Sequence, residues 1–402
     1  MAIKQEIFRH TVAQIHLDHL AHNFRNLKSM FPSGHFICPM VKANAYGHGD
    51  VEVALRLQTE GCQQVGVGLI EEGTLLRQNG FKNDILVYGI FDGFGAEQVA
   101  KWSLTPVIST WEQIKALESV RHRDASQKLS LHLKFDTGMH RLGFPMFDAQ
   151  KLFSHFENHS SLKVTGICTH LANGEDAHDP QGKSAIQIGN FSAVEKIFAS
   201  LAPVSHALNS AGLLNFWNSR DQAGHPSEIH KNLGIRPGLL LYGVIPPGVS
   251  TEKLQSHKIE FKPVMTLKSQ IVRFLQLAAG ESVSYGGTWT SQRPSIIGVI
   301  PMGYADGYHR LLSNRSQVLV KGKLAPQVGN VCMDYIMVDL TGIVLPQEAK
   351  MNIPTEAYLF GTDSMGNSIN VCELAQKGQT IPWEILTSIG ERVPRIFIPD
   401  VL

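Results

Sequence analysis

A lysine at the end of an apolar run could carry the chemistry of this chain. Residues 39–50 read PMVKANAYGHGD, so Lys42 leaves a strand-like segment and enters a turn that contains Tyr46 and two glycines. Apolar flanks and nearby cations favour a neutral amine, the form that attacks an aldehyde to make a Schiff base. Tyr46 offers a hydroxyl to a bound group. The alternative is a lysine that extends from a strand end towards solvent, and the residues alone leave both interpretations open.

A second stretch with charged residues is LHLKFDTGMHRLGF, residues 131–144. Lys134, Asp136 and Arg141 alternate with apolar residues at another strand end and then enter a turn. A lysine that points inward needs a partner or a change of charge, because an unpaired buried charge is costly. Taken alone, the pattern favours a buried pair, either Lys134 with Asp136 or Asp136 with Arg141, that ties two loops together.

Two further stretches have the residue types that bind anions. SHALNSAGLL places Asn209 and Ser210 just before a helical run, and GIRPGLLLYG follows Arg236 with the backbone amides of Gly238 and Leu239. The free N–H groups of a helix N-terminus can receive a phosphate. An ordinary helix cap is the competing interpretation of the Asn-Ser pair, and it is the commoner outcome for such a pair.

Three single residues carry a weaker signal. His170 ends the run GICTH, where a lone histidine is more often a hydrogen-bonded core residue than a catalyst. Tyr285 in VSYGG and Met333 in VCMD indicate, by themselves, only a hairpin and a core strand. Histidine, cysteine and carboxylate side chains are not clustered at metal-ligand spacing, so we predict no metal site.

The composition narrows the class of protein that must position these residues. The chain has 402 residues, 43% of them hydrophobic and 18% charged, which is typical of a soluble globular protein with two domains. A net charge of +1 provides no general field for nucleic acid or a membrane surface, so we expect a small-molecule site. The sequence lacks an apolar run of secretory or membrane-spanning type, and five scattered cysteines indicate reduced thiols in the cytoplasm.

The order of the apolar runs predicts how the domains are built. Over residues 1–245, short β-type runs alternate with helical stretches about eight times, which predicts an α/β fold with a parallel (β/α)8 TIM-type barrel. These runs include VAQIHL and GLLLYGV. Over residues 246–402, short strands separated by glycine turns predict a mostly β domain. The first few residues of the chain could pack with this second domain.

Together, these motifs resemble the alanine racemase family, the fold-type III pyridoxal-phosphate enzymes. Several stretches follow in the order and spacing of that family: VKANAYGHG, LKFDTGMHRLG, HALNSA, GIRPGLLLYG, VSYGGTWT, GYADGY and GNVCMD. The resemblance implies an N-terminal barrel, a C-terminal β domain and a head-to-tail homodimer in which the partner subunit completes each site. It also implies the cofactor pyridoxal 5'-phosphate and the interconversion of L-alanine and D-alanine, the latter for peptidoglycan.

The resemblance also implies two acid–base groups. Lys42 would hold the cofactor as a Schiff base and act on the α-proton of the D-amino acid. Tyr285 of the partner subunit would act on the α-proton of the L-amino acid. A racemase removes the proton from one face and returns it on the other, so two groups on opposite sides of the cofactor are expected.

Family positions imply roles for the remaining residues. The cofactor would contact His170, Asn209 and, at its pyridine nitrogen, Arg236. The resemblance assigns the phosphate to Tyr46, Ser210, Gly238 and Leu239, and the substrate carboxylate to Arg141 and the backbone of Met333. Lys134 matches a lysine that is carbamylated in many members of the family, and a negative carbamate would orient Arg141.

Some positions depart from the family pattern, and other activities stay open. Glu391 stands at or near a place where members often have a phosphate-binding tyrosine, His140 replaces a frequent glycine, and Asn173 lies in the loop after His170. Retention of CMD favours an alanine-sized pocket. The alternatives are a broad-specificity amino-acid racemase, a fold-type III amino-acid decarboxylase and a non-catalytic pyridoxal-phosphate-binding protein. Arg236 argues against the decarboxylases, which usually use an acidic residue at the ring nitrogen.

Overall fold

The structure of the chain is a computed structural model that describes residues 8–120, 128–159, 161–176, 179, 181–201, 203–219 and 233–398. The chain divides into two compact units. The barrel unit comprises residues 20–45 and 50–262, and the sheet unit comprises residues 1–19, 46–49 and 263–402. The domain boundary expected between residues 245 and 246 stays a prediction.

Parallel strands form the wall of the barrel unit. In the order of pairing they are Gln64–Val67, Asp84–Val87, Thr105–Ile108, Leu129–Asp136, Leu162–Cys168, Val204–Leu208 and Gly234–Ile235. Segment 37–41 closes the ring, because Ile37 bridges in parallel to Ile235 and Met40 bridges in parallel to Gly66. The short strand Phe144–Pro145 pairs beside the end of Leu129–Asp136.

Helices cover the outside of this wall. They are Asp50–Thr59, Ile70–Gln78, Gly93–Lys101, Trp111–Ser119, Ala149–Phe156, Lys183–Phe198 and Ser210–Ser219, with Leu17–Ser29 near the start of the unit and Glu252–Ser256 near its end. Their starts follow local chemistry, since the side chains of Asp92 and Thr110 accept hydrogen bonds from amides in the first turn of their helices. Such caps satisfy backbone N–H groups that a helix leaves free.

The barrel interior contains an apolar cluster. Cys38, Leu86, Val107 and Cys168 form a fully buried cluster, against which Tyr88 packs. Burying one large apolar side chain stabilises the fold by about 1.5–3 kcal/mol. The strands that supply this cluster read as short apolar runs, because a parallel sheet is buried on both faces. The barrel therefore gives the residues at its strand ends a rigid support.

Two apolar runs assigned to the barrel strands form something else. Strand Val12–His16 pairs antiparallel with Met265–Ile271 and parallel with Arg395–Ile398, so VAQIHL belongs to the sheet unit. Residues 239–244 form successive turns, in which the amide of Leu241 donates to the carbonyl of Gly238. The strand predicted at VAQIHL is therefore confirmed, but its place in the barrel was wrong, and the strand predicted at GLLLYGV was wrong. A local pattern specifies neither the pairing partner of a strand nor a buried turn.

The sheet unit is built mainly from antiparallel strands. Its largest sheet has the order Lys323–Pro326, Gln317–Val320, Thr355–Thr362, Met265–Ile271, Val12–His16 and Arg395–Ile398, with Ser368–Ile369 beside Thr355–Thr362. A second sheet comprises Arg273–Leu277, Ser295–Ile300 and Ile336–Asp339, and a hairpin joins Ser282–Val283 to Trp289–Thr290. Helices Pro346–Lys350, Val371–Lys377 and Pro382–Ser388 complete the unit.

The predicted fold class is confirmed. An N-terminal α/β barrel of parallel strands is followed by a C-terminal part that is rich in sheet. Within the described part of the chain, every helix is too short or too polar to cross a lipid bilayer.

Candidate active site

A left-handed helical turn carries Lys42 away from the barrel wall. Helix Lys42–Gly47 follows segment 37–41 directly, and residues 43–46 all have φ between 51° and 54°. Each residue in this conformation costs roughly 1–2 kcal/mol unless it is glycine or asparagine. The amide of Ala43 donates to Glu72 Oε1 over 2.6 Å, which anchors the turn to the next strand–helix connection. Sequence reasoning missed this strained turn, and the small residues of ANA are its one local signal.

The surroundings of Lys42 favour its neutral amine. The side chain of Lys42 is exposed to solvent, but the protein atoms around it remove part of its hydration. This desolvation lowers the pKa of Lys42, and the positive charge of Arg141 lowers it further. Glu72 opposes the shift, while Arg236 adds to it. The amine is therefore closer to a nucleophile and base than a free lysine at the same pH.

Four basic side chains, Lys42, Lys134, Arg141 and Arg236, lie at this end of the barrel and are called the cation group here. Lys134 is buried, and its pKa is lowered first by burial; Cys168 opposes this shift, whereas Arg236 and Arg141 reinforce it. Arg236 is also buried, and within the described residues its guanidinium donates to histidines and carbonyls but to no carboxylate. The cation group therefore leaves positive charge that an anionic ligand would balance.

Arg236 fixes a chain of histidines. Its Nη1 donates to His206 Nδ1 over 2.7 Å, and its Nη2 donates to His170 Nδ1 over 3.1 Å. A guanidinium only donates, so both Nδ1 atoms must be unprotonated acceptors. His206 then carries its proton on Nε2, which donates to His132 Nδ1 over 2.8 Å. One cation thus determines the tautomers of three neutral rings.

Burial and the charge of Arg236 keep these histidines neutral. Burial lowers the pKa of His132 to about 3, with Arg236 as the second cause. Burial and then Arg236 also place the pKa of His206 and of His170 well below the usual value. His206 and His170 were visible in the sequence motifs. His132 was missed, because a polar residue within LSLHLKF gives no sign that it faces another histidine.

Two backbone amides of the segment 238–240 converge on Ser210. The amides of Gly238 and Leu240 donate to Ser210 Oγ over 2.9 and 3.2 Å, at the N-terminus of helix Ser210–Ser219. Asn209 Oδ1 accepts from the amide of Gly212 over 2.9 Å, which is the helix-cap geometry. The cap and the anion-binding interpretation are therefore compatible. Leu239, the other residue expected here, is fully buried between these two amides.

The loop after Lys134 is organised by Asp136, and neither expected ion pair forms. The carboxylate of Asp136 accepts from the amides of Gly138, Met139 and His140, each over 3.0 Å. The nearest basic side chain to it is His140, whose Nδ1 lies at 3.3 Å, and the described residues include no ion pair of Asp136 with Lys134 or Arg141. Asp136 binds these amides instead of Lys134 or Arg141 because the amides follow the carboxylate directly in sequence. Arg141 is left exposed at the loop.

The other predicted site residues belong to the sheet unit. Tyr46 is buried, and burial raises the pKa of its phenol, which therefore stays protonated. Tyr285 is 72% exposed and Met333 is 53% exposed. The carbonyl of Tyr285 accepts from Asn330 Nδ2 over 2.7 Å, so its backbone is anchored while its ring is open. Glu391 is exposed.

The family models for the N-terminal and C-terminal domains of alanine racemase match residues 15–246 and 264–397. An alanine racemase of Thermodesulfovibrio yellowstonii is 37% identical over 96% of this chain and 98% of its own. The solved alanine racemase of E. faecalis is 30% identical, with a TM-score of 0.84 over 99% of this chain and all of its own. That of Bartonella henselae, which has covalently bound pyridoxal phosphate, is 29% identical, with a TM-score of 0.80 over 96% of this chain and 99% of its own. The chain therefore belongs to the alanine racemase family, isomerases that racemise alanine.

Proposed function

We propose that the chain racemises alanine with pyridoxal 5'-phosphate by a two-base mechanism, in which Lys42 and Tyr285 of the partner subunit are the bases. The observation that carries the proposal is the cation group around a lysine whose pKa is lowered. An amine that reacts with an aldehyde must be neutral, and an anionic cofactor needs positive charge around it. Both requirements are met at the same strand ends.

The residues present fit this cofactor. Lys42 offers a neutral Nζ that would hold it covalently. Ser210 stands at a helix N-terminus, where its hydroxyl and the first N–H groups of the helix are of the kind that bind a phosphate. The Gly238 amide holds the Ser210 oxygen, and we assign Gly238, Asn209, Leu239 and Tyr46 to the same group. When bound, the cofactor supplies an electron sink that makes the α-proton of an amino acid acidic.

Arg236 and His170 would contact the cofactor ring. Arg236 keeps its proton at any working pH, so it would donate a hydrogen bond to the ring nitrogen without transferring a proton. Its own donors already hold His206, His170 and the carbonyl of Thr169, which fixes the plane of the guanidinium. By leaving the ring nitrogen unprotonated, Arg236 would reduce the electron-withdrawing power of the cofactor and so would favour return of the α-proton over side reactions.

Two bases on opposite faces would move the α-proton. Lys42 Nζ would take or return it on one face, and the phenol oxygen of Tyr285 of the partner subunit would do so on the other. Tyr285 and Met333 both have exposed side chains, which supports a head-to-tail homodimer with shared sites. A free tyrosine has a pKa near 10. The cation group of the partner's site would favour its phenolate.

Arg141 and the backbone of Met333 would bind the substrate carboxylate. For Lys134 we propose carbamylation: its neutral amine attacks CO2, an N–C bond forms, and one proton is released to solvent. The product is an anion that would sit among the remaining cations and orient Arg141. The lowered pKa of Lys134, caused first by burial, supports this reaction because only the free amine is nucleophilic.

The product D-alanine would serve peptidoglycan synthesis. Cys38, Cys62, Cys168, Cys332 and Cys372 are all free thiols, which supports a reducing compartment such as the cytoplasm. No observation favours a broad-specificity racemase, a decarboxylase or a non-catalytic binding protein over the alanine enzyme.

Lys42→Ala tests the proposal directly. Protein purified with the cofactor should show the visible absorption band of a Schiff base and should convert L-alanine to a mixture of both isomers, as measured by chiral chromatography. Lys42→Ala should lose both properties, and His155→Ala, on the helix Ala149–Phe156, should keep both. Racemisation by native protein that carries no cofactor band, or by Lys42→Ala, would overturn the mechanism.

A further inference from the structure

Ser284 has a backbone conformation that belongs to glycine. Its φ is 68° and its ψ is −179°, and it stands immediately before Tyr285. For a residue with a Cβ atom this region is strained and persists only where the surroundings hold it. Glycine would adopt the same turn without that strain. A serine here therefore needs a reason that its side chain supplies.

The side chain of Ser284 is bound to the segment 329–332. Its Oγ donates to the carbonyl of Asn330 over 2.7 Å and lies 3.3 Å from Cys332 Sγ. Gly329, with φ of 75°, packs so closely that a Cβ atom there would lie 2.8 Å from the Cβ of Ser284. One short segment thus contacts the serine through a hydrogen bond, a thiol and a backbone surface.

The same segment also holds the residue that follows. Asn330 accepts from Ser284 through its carbonyl and donates to the carbonyl of Tyr285 through its Nδ2, over 2.7 Å. The backbone is therefore fixed on both sides of the bond that joins Ser284 to Tyr285. The Tyr285 ring has no such support, since it is largely exposed. Its direction depends on the backbone from which it projects.

We propose that Ser284 is a positioning residue, whose hydroxyl holds a strained backbone and thereby directs the Tyr285 phenol at the substrate. The inference rests on the proposed function, because it gives Tyr285 a target. Ser284 touches neither substrate nor cofactor in this account. Ser284 would set the direction in which the Tyr285 side chain projects from the turn. A small error in that direction displaces the phenol oxygen, which lies at the far end of the ring.

Two substitutions separate strain from the hydroxyl contact. Ser284→Ala removes the hydrogen bond but keeps the Cβ atom, so the strained backbone has lost what holds it and relaxes. Ser284→Gly removes the hydrogen bond and the strain together, so the turn can keep its shape but is less firmly held. We expect activity to fall by about tenfold or more for alanine and by a few fold for glycine, since 1.4 kcal/mol corresponds to a factor of ten.

The exchange of α-deuterium into solvent from each alanine isomer distinguishes positioning of Tyr285 from a general defect. Exchange from deuterated L-alanine, which requires Tyr285, should fall in both variants, whereas exchange from deuterated D-alanine, which requires Lys42, should stay within about twofold. Without cofactor, Ser284→Ala should unfold at a lower temperature than native protein and Ser284→Gly should not. Both should bind pyridoxal 5'-phosphate with native affinity.

A matched control relieves the same kind of strain elsewhere in the sheet unit. Gln379 has φ of 54° after helix Val371–Lys377, and Gln379→Gly should leave both exchange rates unchanged. Full activity of Ser284→Ala, or equal losses for both isomers, would overturn the role of Ser284 alone. If native protein exchanged neither isomer, the proposed function itself would fail, so the two failures are distinguishable.

Discussion

Lys42 and Tyr285 are the two proposed bases, and the two units of the chain surround them very differently. Lys42 lies near other basic side chains and a hydrogen-bonded chain of neutral histidines, all within the barrel unit. The surrounding protein also removes part of its hydration. Tyr285 projects from a turn of the sheet unit, with its backbone fixed and its ring open to solvent. One chain can therefore shift the pKa of its lysine by itself. In the proposed homodimer, the turn before its tyrosine would direct the phenol, and the partner subunit would supply the electrostatic environment of that phenol.

The largest expected effect is the recovery of activity in mixed dimers, which tests whether Lys42 and Tyr285 of one site come from different subunits. Lys42→Ala and Tyr285→Phe should each be inactive alone. After subunit exchange, a heterodimer has one site with both native residues, so the mixture should recover up to about a quarter of native activity. Racemisation measured before and after exchange tests this. No recovery after confirmed exchange would mean that each chain contains its whole site.

A carbamate on Lys134 would add a negative charge to the surroundings of Lys42 in the barrel unit. With [13C]bicarbonate, native protein should show a carbamate carbon resonance in its NMR spectrum, which Lys134→Ala lacks. Lys134→Ala should also lose at least tenfold in activity, because Arg141 is no longer oriented by an anion. Lys82→Ala, on the surface of the barrel unit, serves as the control and should retain the resonance. A native spectrum without it would contradict the modification.

We expect the free energy of unfolding to depend on pH through Asp136, a residue of the barrel unit. Burial opposes ionisation of Asp136, but hydrogen bonds from the amides of His140, Gly138 and Met139 outweigh it and lower the pKa. The stabilisation is therefore fully present above the unfolded pKa of about 3.9 and is lost as the pH falls through the lower folded pKa. Asp136→Asn should cost about 1 kcal/mol in the free energy of unfolding at pH 7. Denaturant unfolding should show this difference shrinking below about pH 4; a constant difference would contradict it.

His140 offers the smallest effect. Its φ of 55° explains why glycine suits this place, and His140→Gly should raise the free energy of unfolding by less than about 1 kcal/mol, because relief of strain exceeds the added chain entropy only slightly. His140→Ala keeps the strain and should not stabilise. Thermal unfolding of the two variants measures the difference. Greater stability of the alanine variant would show that the loop is not strained at this residue.

Much of the fold could be predicted because its signals are local. Apolar runs alternating with helical stretches specify a parallel barrel, since each strand must be covered and each connection needs a helix. Two apolar runs did not become barrel strands: VAQIHL forms a strand of the sheet unit, and GLLLYGV forms a series of buried turns. Val12–His16 finds both of its neighbours far along the chain, and such distant pairing leaves no trace within six residues.

Some site residues could be predicted from the sequence, and others could not. Motifs named Lys42, Arg236, Ser210 and Tyr285 because their residue types recur in an ordered set. His132 stayed hidden, since its importance lies in a hydrogen bond to a residue 74 positions later. The strain at residues 43–46 and at Ser284 was equally invisible, because backbone dihedrals at such places are imposed by packing against other segments.

The linear sequence specifies which chemical groups are present: an amine, a phenol, a permanent cation and the glycines of several turns, in the order of one family. The tertiary structure decided how basic the amine is, which nitrogen of each histidine carries the proton, and in which direction the phenol points. These properties depend on burial and on distances between groups remote in sequence, and a linear pattern encodes neither.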